Sequence, residues 1–157
     1  MKELGYRPCV GIMLVNADGQ VFVGRRIDNK EGDWWQMPQG GVDKGEDLRE
    51  AMYRELGEET GIVPGKVSII GQMDEPIRYD LPDELIGKLW NGKYRGQEQV
   101  WFCVRFNGTD KDVDLEAHNP PEFCDWKWVA PDQLPELIVP FKKRVYRSVV
   151  EAFTALI

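Results

Sequence analysis

The chain is poor in cysteine and histidine, the residues on which thiolate and imidazole metal sites depend. Its 157 residues include three cysteines, Cys9, Cys103 and Cys124, which are widely spaced and form no CxxC pair. We therefore predict buried reduced thiols in a cytoplasmic protein. His118 is the sole histidine, and no cysteine or carboxylate stands beside it at metal-ligand spacing. A zinc site or a Ser-His mechanism is not expected.

Long apolar runs are also missing. The run at residues 10–15 is too short to span a membrane and lacks a small-residue cleavage site, so it predicts a strand and not a signal peptide. The sequence has no internal repeats and no low-complexity tracts. Its length and its 42% hydrophobic composition predict one domain over residues 1–157, with neither a membrane nor an obligate protein partner.

Positive charge is in deficit. The chain has 20 lysines and arginines against 27 acidic residues, which gives a net charge of −7. A protein that binds along duplex DNA needs a basic footprint, so this class is not expected. The net charge does not exclude a nucleotide or an RNA 5′ end. The basic residues are concentrated at Arg25, at Arg26 and within residues 142–147.

A short stretch after residue 40 holds an unusual density of carboxylates. Residues 47–60 predict a helix whose apolar stripe consists of Leu48, Ala51, Met52 and Leu56. Glu55 and Glu59 fall inside that stripe, and Glu58 lies just beside it. The three carboxylates are one turn apart and can therefore converge.

Carboxylates on a packing face need a compensating charge. An uncompensated one costs several kcal/mol or is forced to protonate, and a cluster repels itself. Divalent cations remove both penalties, and oxygen ligands suit Mg²⁺ or Mn²⁺, which also take substrate phosphate oxygens as ligands. The competing interpretation is a solvated acidic helix face with ordinary Glu/Arg pairing.

The flanks of this helix carry a longer pattern. Gly40 is followed after five residues by Glu46, and after seven more by RELGEETGI at 54–62. This matches Gx5Ex7REUxEExGU without a departure, where U is a bulky aliphatic residue, and the chain thus resembles the Nudix hydrolase family. The resemblance implies an α/β fold with a mixed sheet, the αβα sandwich. It also implies a loop-helix-loop that holds two or more divalent ions and hydrolyses a nucleoside diphosphate linked to another moiety.

The resemblance implies a role for each residue of the pattern. It assigns the metal site to Gly40, Glu55, Glu58 and Glu59. Arg54 is expected to hold the catalytic carboxylates in place, with Glu46 as its partner. Gly40 and Gly61 are expected to allow the backbone turns that bracket the helix, because glycine has no Cβ.

Segments outside the pattern point to particular groups within the family. The segments WQMPQGG at 35–41, GQEQVWF at 96–102 and FKKRVYR at 141–147 are similar to those of bacterial RNA pyrophosphohydrolases and of plant-type dinucleoside polyphosphate hydrolases. This similarity matches Glu122 to a further metal ligand or base from outside the pattern. An ordinary solvated loop glutamate is the alternative.

The same similarity implies a substrate site. It places Phe141 and Lys142 near a bound nucleotide, and Arg7 with Arg25 or Arg26 near its phosphates. Cations in the first turns of a helix predicted at 141–156 oppose its macrodipole, so an anionic group is expected there. Phe141 is either a stacking residue or part of the core. Three glutamines are candidates for hydrogen bonds to phosphate or to a base edge, with ordinary surface residues as the alternative: Gln39, Gln97 and Gln99.

Hydrophobic patterning predicts the remaining elements. Strands are expected at 10–15, 21–25, 67–73, 100–106 and 125–129, with a polar loop at 28–33 and a long connection at 74–99. Trp34 and Trp35 lie beside that polar loop, and at least one of them is expected to be a lid or stacking residue.

The sequence therefore predicts a metal-dependent pyrophosphohydrolase. Its expected substrates are 5′-triphosphorylated RNA ends, with dinucleoside polyphosphates as a further possibility. One alternative keeps the chemistry and changes the substrate, to a dinucleoside tetraphosphate or to nucleoside triphosphates removed from the pool. The other is an inactive nucleotide-sensing module, against which the intact glutamates argue.

Overall fold

The structure, a computed structural model, describes residues 4–28, 33–89, 92–118 and 120–157. The strands are β1 Gly5–Val15, β2 Val21–Arg26, β3 Gln39–Gly41, β4 Val67–Gln72, β5 Ile77–Asp80, β6 Tyr94–Phe106 and β7 Phe123–Val129. The α-helices are α1 Leu48–Thr60, α2 Leu134–Leu137 and α3 Lys143–Phe153.

The strands form one mixed sheet. Its order is β4-β6-β1-β2-β7, with β3 paired to β1 and β5 paired to β6. β1 and β6 run parallel, whereas the other pairs are antiparallel. The parallel register places Arg7 opposite Gln97, Cys9 opposite Gln99 and Gly11 opposite Trp101. Because side chains alternate along a strand, these residues share one face of the sheet.

Helices cover both faces of this sheet. Val10, Ile12 and Leu14 of β1 join one buried cluster with the apolar face of α1. Met13 and Val15, which alternate with them, join the other cluster with residues of α2 and α3. The predicted α/β fold with an αβα arrangement is confirmed.

Helix α1 has a local signal at each end. The Asp47 side chain accepts a hydrogen bond from the backbone amide of Glu50 at 2.8 Å, which is a normal N-cap. Gly61 ends the helix with a φ of 74°, a left-handed conformation that favours glycine. The predicted span, 47–60, therefore agrees with the observed helix to one residue.

Other elements differ from their predictions. Residues 77–80, expected in a long connection, form β5, and β6 begins at residue 94 rather than 100. Strand β3 and the short helix α2 were not predicted. Cys124 is exposed, so the prediction of a buried thiol is wrong for this cysteine. Residues 29–32 of the predicted polar loop and residues 90–91 of the connection lie outside the described residues. No helix in the described part of the chain is long and apolar enough to cross a membrane.

Candidate active site

Three carboxylates from two parts of the chain meet at one point. Glu55 and Glu59 come from α1, and Glu122 comes from the loop before β7. One carboxylate oxygen of each lies within 4.8 Å of the others. The backbone amide of Ile27 donates to the Glu122 carbonyl oxygen at 2.9 Å, and Arg26 pairs with Phe123 across β2 and β7. The sheet therefore holds Glu122 beside the helix.

Burial makes this group of carboxylates electrostatically costly. Glu59 is 0% exposed, and neither of its side-chain oxygens has a hydrogen-bond partner among the described residues. Burial, followed by the charges of Glu122 and Glu55, raises the pKa of Glu59 well above its usual range. Burial likewise raises the pKa of Glu55 to about 7, although Arg54 opposes the shift.

These residues fit a divalent cation. A buried carboxylate without a partner is rare, because its desolvation is not repaid. A divalent cation bound by Glu55, Glu59 and Glu122 would offset most of the negative charge of the cluster, and the ligand atoms are the hard oxygens that Mg²⁺ or Mn²⁺ prefers. Glu58, the third predicted ligand on the helix, is not in the group that the described residues form.

Arg54 organises the carboxylates around it. Its guanidinium donates to both oxygens of Glu46, at 2.8 and 2.9 Å, and to the Gly41 carbonyl oxygen at 2.8 Å. It also donates to Glu55 at 2.8 Å and to Glu58 at 3.2 Å. The hydrogen bonds from Arg54 lower the pKa of Glu46 to about 2. The expected Arg54–Glu46 pair is present, and Glu58 faces this arginine.

The structure requires a glycine at position 40 for a reason that differs from the predicted one. Gly40 lies in β3 opposite Val10 and is not among the glycines with a positive φ. A Cβ at this position would overlap the Glu55 carboxylate. The turn role expected of Gly40 is therefore wrong: its missing side chain leaves space for Glu55. Gly41 likewise makes room, in this case for the Arg7 guanidinium.

The carboxylates open into a cavity of about 480 Å³. Its acidic end is lined by Glu55 and Glu122, beside Gly40. Elsewhere the wall is cationic, polar and aromatic, and it includes these predicted substrate residues: Arg7, Arg26, Gln39, Gln97, Phe141 and Lys142. The cavity thus places anion-binding side chains and an aromatic ring within reach of the carboxylate cluster.

Phe141 and Lys142 form part of a small aromatic wall. Phe141 is 36% exposed, and its ring centroid lies 6.0 Å from that of Tyr79. The Lys142 ammonium is 5.4 Å from the Tyr79 ring centroid. Burial and the nearby Arg26 lower the pKa of Lys142 to about 8. The partial exposure of Phe141 favours a contact residue over a core residue.

Two predicted substrate residues do not line the cavity. Arg25 is absent from its wall and lies 3.7 Å from the Asp33 carboxylate, which leaves Arg26 as the arginine of this strand at the site. Gln99 lies behind the wall and bonds to other glutamines. Trp35, considered as a lid or stacking residue, is buried in the core beneath Lys127.

Sequence reasoning missed Tyr79. It lines the cavity from β5, in a segment that was expected to be a connection. The only signal was the alternation of Ile77 and Tyr79 with Arg78 and Asp80, and four residues are too few to distinguish a strand from a loop.

The fold and the site define a hydrolase-type domain whose helix carboxylates can hold divalent cations. The chain belongs to the Nudix family, because the NUDIX domain model matches residues 5–149. It is 63% identical to a protein of Novosphingobium aromaticivorans named RNA pyrophosphohydrolase, over 98% of this chain and 96% of the relative. An Erythrobacter litoralis protein with the same name is 60% identical, over 99% and 95%. The predicted family, and its likeness to RNA pyrophosphohydrolases, are confirmed.

Solved structures are similar in fold. The Escherichia coli dihydroneopterin triphosphate pyrophosphohydrolase matches with a TM-score of 0.75 at 21% identity, over 98% of this chain and 99% of that one. A Caenorhabditis elegans Ap4A hydrolase matches with a TM-score of 0.67 at 22% identity, over 96% and 99%. At such identities the likeness concerns the fold alone.

The raised pKa values predict how the stability of the metal-free protein depends on pH. Folded Glu55 binds its proton up to about pH 7, whereas its ordinary pKa is 4.5. The unfolded chain releases this proton first, so the free energy of unfolding should fall as the pH rises from about 4.5 to 7. Because the pKa of Glu59 is raised further, this residue extends the fall in the free energy of unfolding to higher pH. Urea unfolding in chelator at pH 5 to 8 measures this slope, and a metal-free protein that gained stability over this interval would contradict it.

Proposed function

We propose that this protein hydrolyses the 5′-triphosphate of RNA, releasing pyrophosphate and leaving a 5′-monophosphate. The observation that carries the proposal is one cavity in which a carboxylate cluster faces cations and an exposed aromatic ring. The names of the two relatives support the same substrate. We further propose that residues 1–157 act as one domain in the cytoplasm, without an obligate protein partner.

The cofactor in this proposal is Mg²⁺ or Mn²⁺, as two or more ions. Glu55, Glu59 and Glu122 would hold them, with Glu58 as a further ligand. When bound, these ions neutralise charge on the phosphate oxygens and increase the acidity of a water molecule. Arg54 keeps Glu55 and Glu58 oriented, so that the carboxylates are in place before substrate arrives.

The cavity wall positions the substrate. Arg7 and Arg26 bind non-bridging phosphate oxygens, because a guanidinium can donate two parallel hydrogen bonds to such a group. Phe141 stacks on a base, with Lys142 beside it. Because Phe141, Glu55 and Glu122 line the same cavity, a base stacked on Phe141 would extend its phosphate chain toward the carboxylates, as hydrolysis of a phosphoanhydride requires.

The substrate can be tested by parallel kinetics. A 5′-triphosphorylated oligoribonucleotide and diadenosine tetraphosphate are supplied separately with Mg²⁺, and the products are identified by chromatography. We expect a higher kcat/KM on RNA, with pyrophosphate as the product, and no turnover after chelation. Glu59→Gln protein purified in the same way controls for contaminating phosphatases. A clear preference for the dinucleotide would replace the proposed substrate with the dinucleoside polyphosphate alternative.

Replacing Phe141 tests the stacking role. Phe141→Ala should raise KM by roughly 5- to 150-fold, equivalent to about 1–3 kcal/mol for a stacked base, and change kcat little. The ring is partly exposed, so thermal unfolding should shift little. Leu156→Ala, at a 43% exposed apolar residue that does not line the cavity, is the matched control. If Phe141→Ala lost stability in proportion to activity, Phe141 would be a core residue.

A further inference from the structure

Four side chains form a hydrogen-bonded chain that runs from the core to the cavity wall, and we call this chain the amide relay: Trp101, Gln99, Gln97 and Gln39. The Trp101 indole Nε1 donates to Gln99 Oε1 at 3.0 Å. Gln99 Nε2 donates to Gln97 Oε1 at 2.7 Å and to Gln39 Oε1 at 3.3 Å. Gln97 and Gln99 are each 2% exposed, and Trp101 is 0% exposed.

The chemistry of the relay fixes the orientation of every amide in it. An indole N–H can only donate, so the Gln99 group that faces it must be the carbonyl oxygen. The Gln99 NH₂ group then points to the other two glutamines, which must accept with their own oxygens. Gln97 and Gln39 consequently turn their NH₂ groups away from Gln99. Both residues line the cavity, and the hydrogen bonds to Gln99 engage their oxygens and leave their NH₂ groups as the ends available to it.

The indole is itself held in one place. It lies across Gly11, where a Cβ would overlap its ring. It also contacts the Tyr146 ring edge-on, with centroids 5.8 Å apart. The strand pairing places Gln97 between Arg7 on β1 and Tyr79 on β5. The Gln97 amide therefore stands between a cationic and an aromatic residue of the cavity wall.

We propose that Gln99 and Trp101 are positioning residues that make this part of the wall donate hydrogen bonds only. A free glutamine amide can present either its oxygen or its NH₂ group, and an oxygen would repel an anionic ligand. With the relay intact, Gln39, Gln97 and Arg7 all offer donors. The wall then selects ligand groups that have acceptor oxygens and no hydrogen to donate. This proposal rests on the proposed function, since a phosphate chain or a base carbonyl would supply those oxygens.

A double-mutant cycle separates positioning from packing. Trp101→Phe removes the indole N–H and keeps an aromatic ring, whereas Gln99→Met removes the amide at similar length. The binding of inorganic pyrophosphate and of guanosine is measured by calorimetry with Mg²⁺ present, because pyrophosphate offers only phosphate oxygens and guanosine offers a base carbonyl. Each single variant should weaken one probe by roughly 3- to 10-fold, as expected for one hydrogen bond.

The double variant carries the decisive comparison. In the Gln99→Met protein the indole no longer has an amide to orient. Adding Trp101→Phe to this protein should therefore weaken binding little further. Losses that add fully would indicate packing alone and overturn the proposal, as would unchanged binding of both probes. Weaker pyrophosphate binding identifies phosphate oxygens as the ligand group, and weaker guanosine binding identifies a base carbonyl. Gln72→Met, at an exposed glutamine of β4, is the matched control.

An NMR measurement keeps the test valid if Trp101→Phe does not fold. In Gln99→Met the Trp101 indole proton loses its acceptor, so its resonance should move upfield and its hydrogen exchange should accelerate. An unchanged indole resonance would show that the Trp101–Gln99 bond does not form, which also overturns the proposal. Neither binding nor NMR depends on RNA turnover. If the protein did not hydrolyse RNA but the double-mutant cycle gave the expected coupling, the proposed substrate would be rejected and the proposal for the relay would stand.

Discussion

Glu59→Gln should lower kcat by roughly 10²- to 10⁴-fold and at the same time stabilise the metal-free protein at pH 8. The first effect follows from losing a charged ligand of the proposed metal site. The second follows from burial, because Glu59 is 0% exposed and its carboxylate has no hydrogen-bond partner among the described residues. A neutral amide of the same shape removes the cost of a buried charge beside Glu55 and Glu122.

The measurement is thermal unfolding with and without Mg²⁺, beside steady-state kinetics. Mg²⁺ should raise the melting temperature of the wild type and raise that of Glu59→Gln much less, since a ligand stabilises only a state that binds it. Glu116→Gln makes the same chemical change in an exposed loop and should behave as the wild type. If Glu59→Gln melted lower than the wild type in chelator at pH 8, Glu59 would be a structural residue.

The helix and its carboxylates were predictable because the information is local. Helical periodicity placed Glu55 and Glu59 on the packing face, and both are buried. Asp47 and Gly61 are cap residues whose preferences depend on a few neighbouring residues. The direction of Glu58 depends on Arg54, which bonds it in competition with the cluster. Rotamer choice among several acceptors of one guanidinium cannot be deduced from spacing alone.

The remainder of the site depends on contacts between distant segments. Gln99 was expected to touch substrate, but the Trp101 indole and two other glutamines hold it behind the wall. Nothing in the local sequence indicates which of several neighbouring glutamines faces a cavity. The turn role predicted for Gly40 was wrong, since the need for a glycine there arises from Glu55 on another element. Such close approaches follow from strand register, which long-range pairing fixes.

Glu122 has no local sequence signal, and its place in the site depends on contacts between distant segments. Only family resemblance suggested its role, because one glutamate in a loop carries no periodic signal. In the folded chain its carboxylate lies with those of Glu55 and Glu59, and the pairing of β2 with β7 fixes its backbone. Its side chain is exposed, so it contributes little packing. A substitution here can therefore change the chemistry without changing the fold.

Glu122→Gln should lower kcat by about 10²-fold or more and leave the melting temperature of the metal-free protein nearly unchanged. The loss should depend on metal concentration: if Glu122 is a ligand, excess Mn²⁺ should restore part of the rate, because a weakened site can still be filled by mass action. A residue that only accepts a proton from water would leave a deficit that persists at saturating metal. Glu75→Gln, at another exposed loop carboxylate, is the control. Wild-type kinetics of Glu122→Gln at every Mn²⁺ concentration would remove Glu122 from the site and leave the α1 carboxylates to act without it.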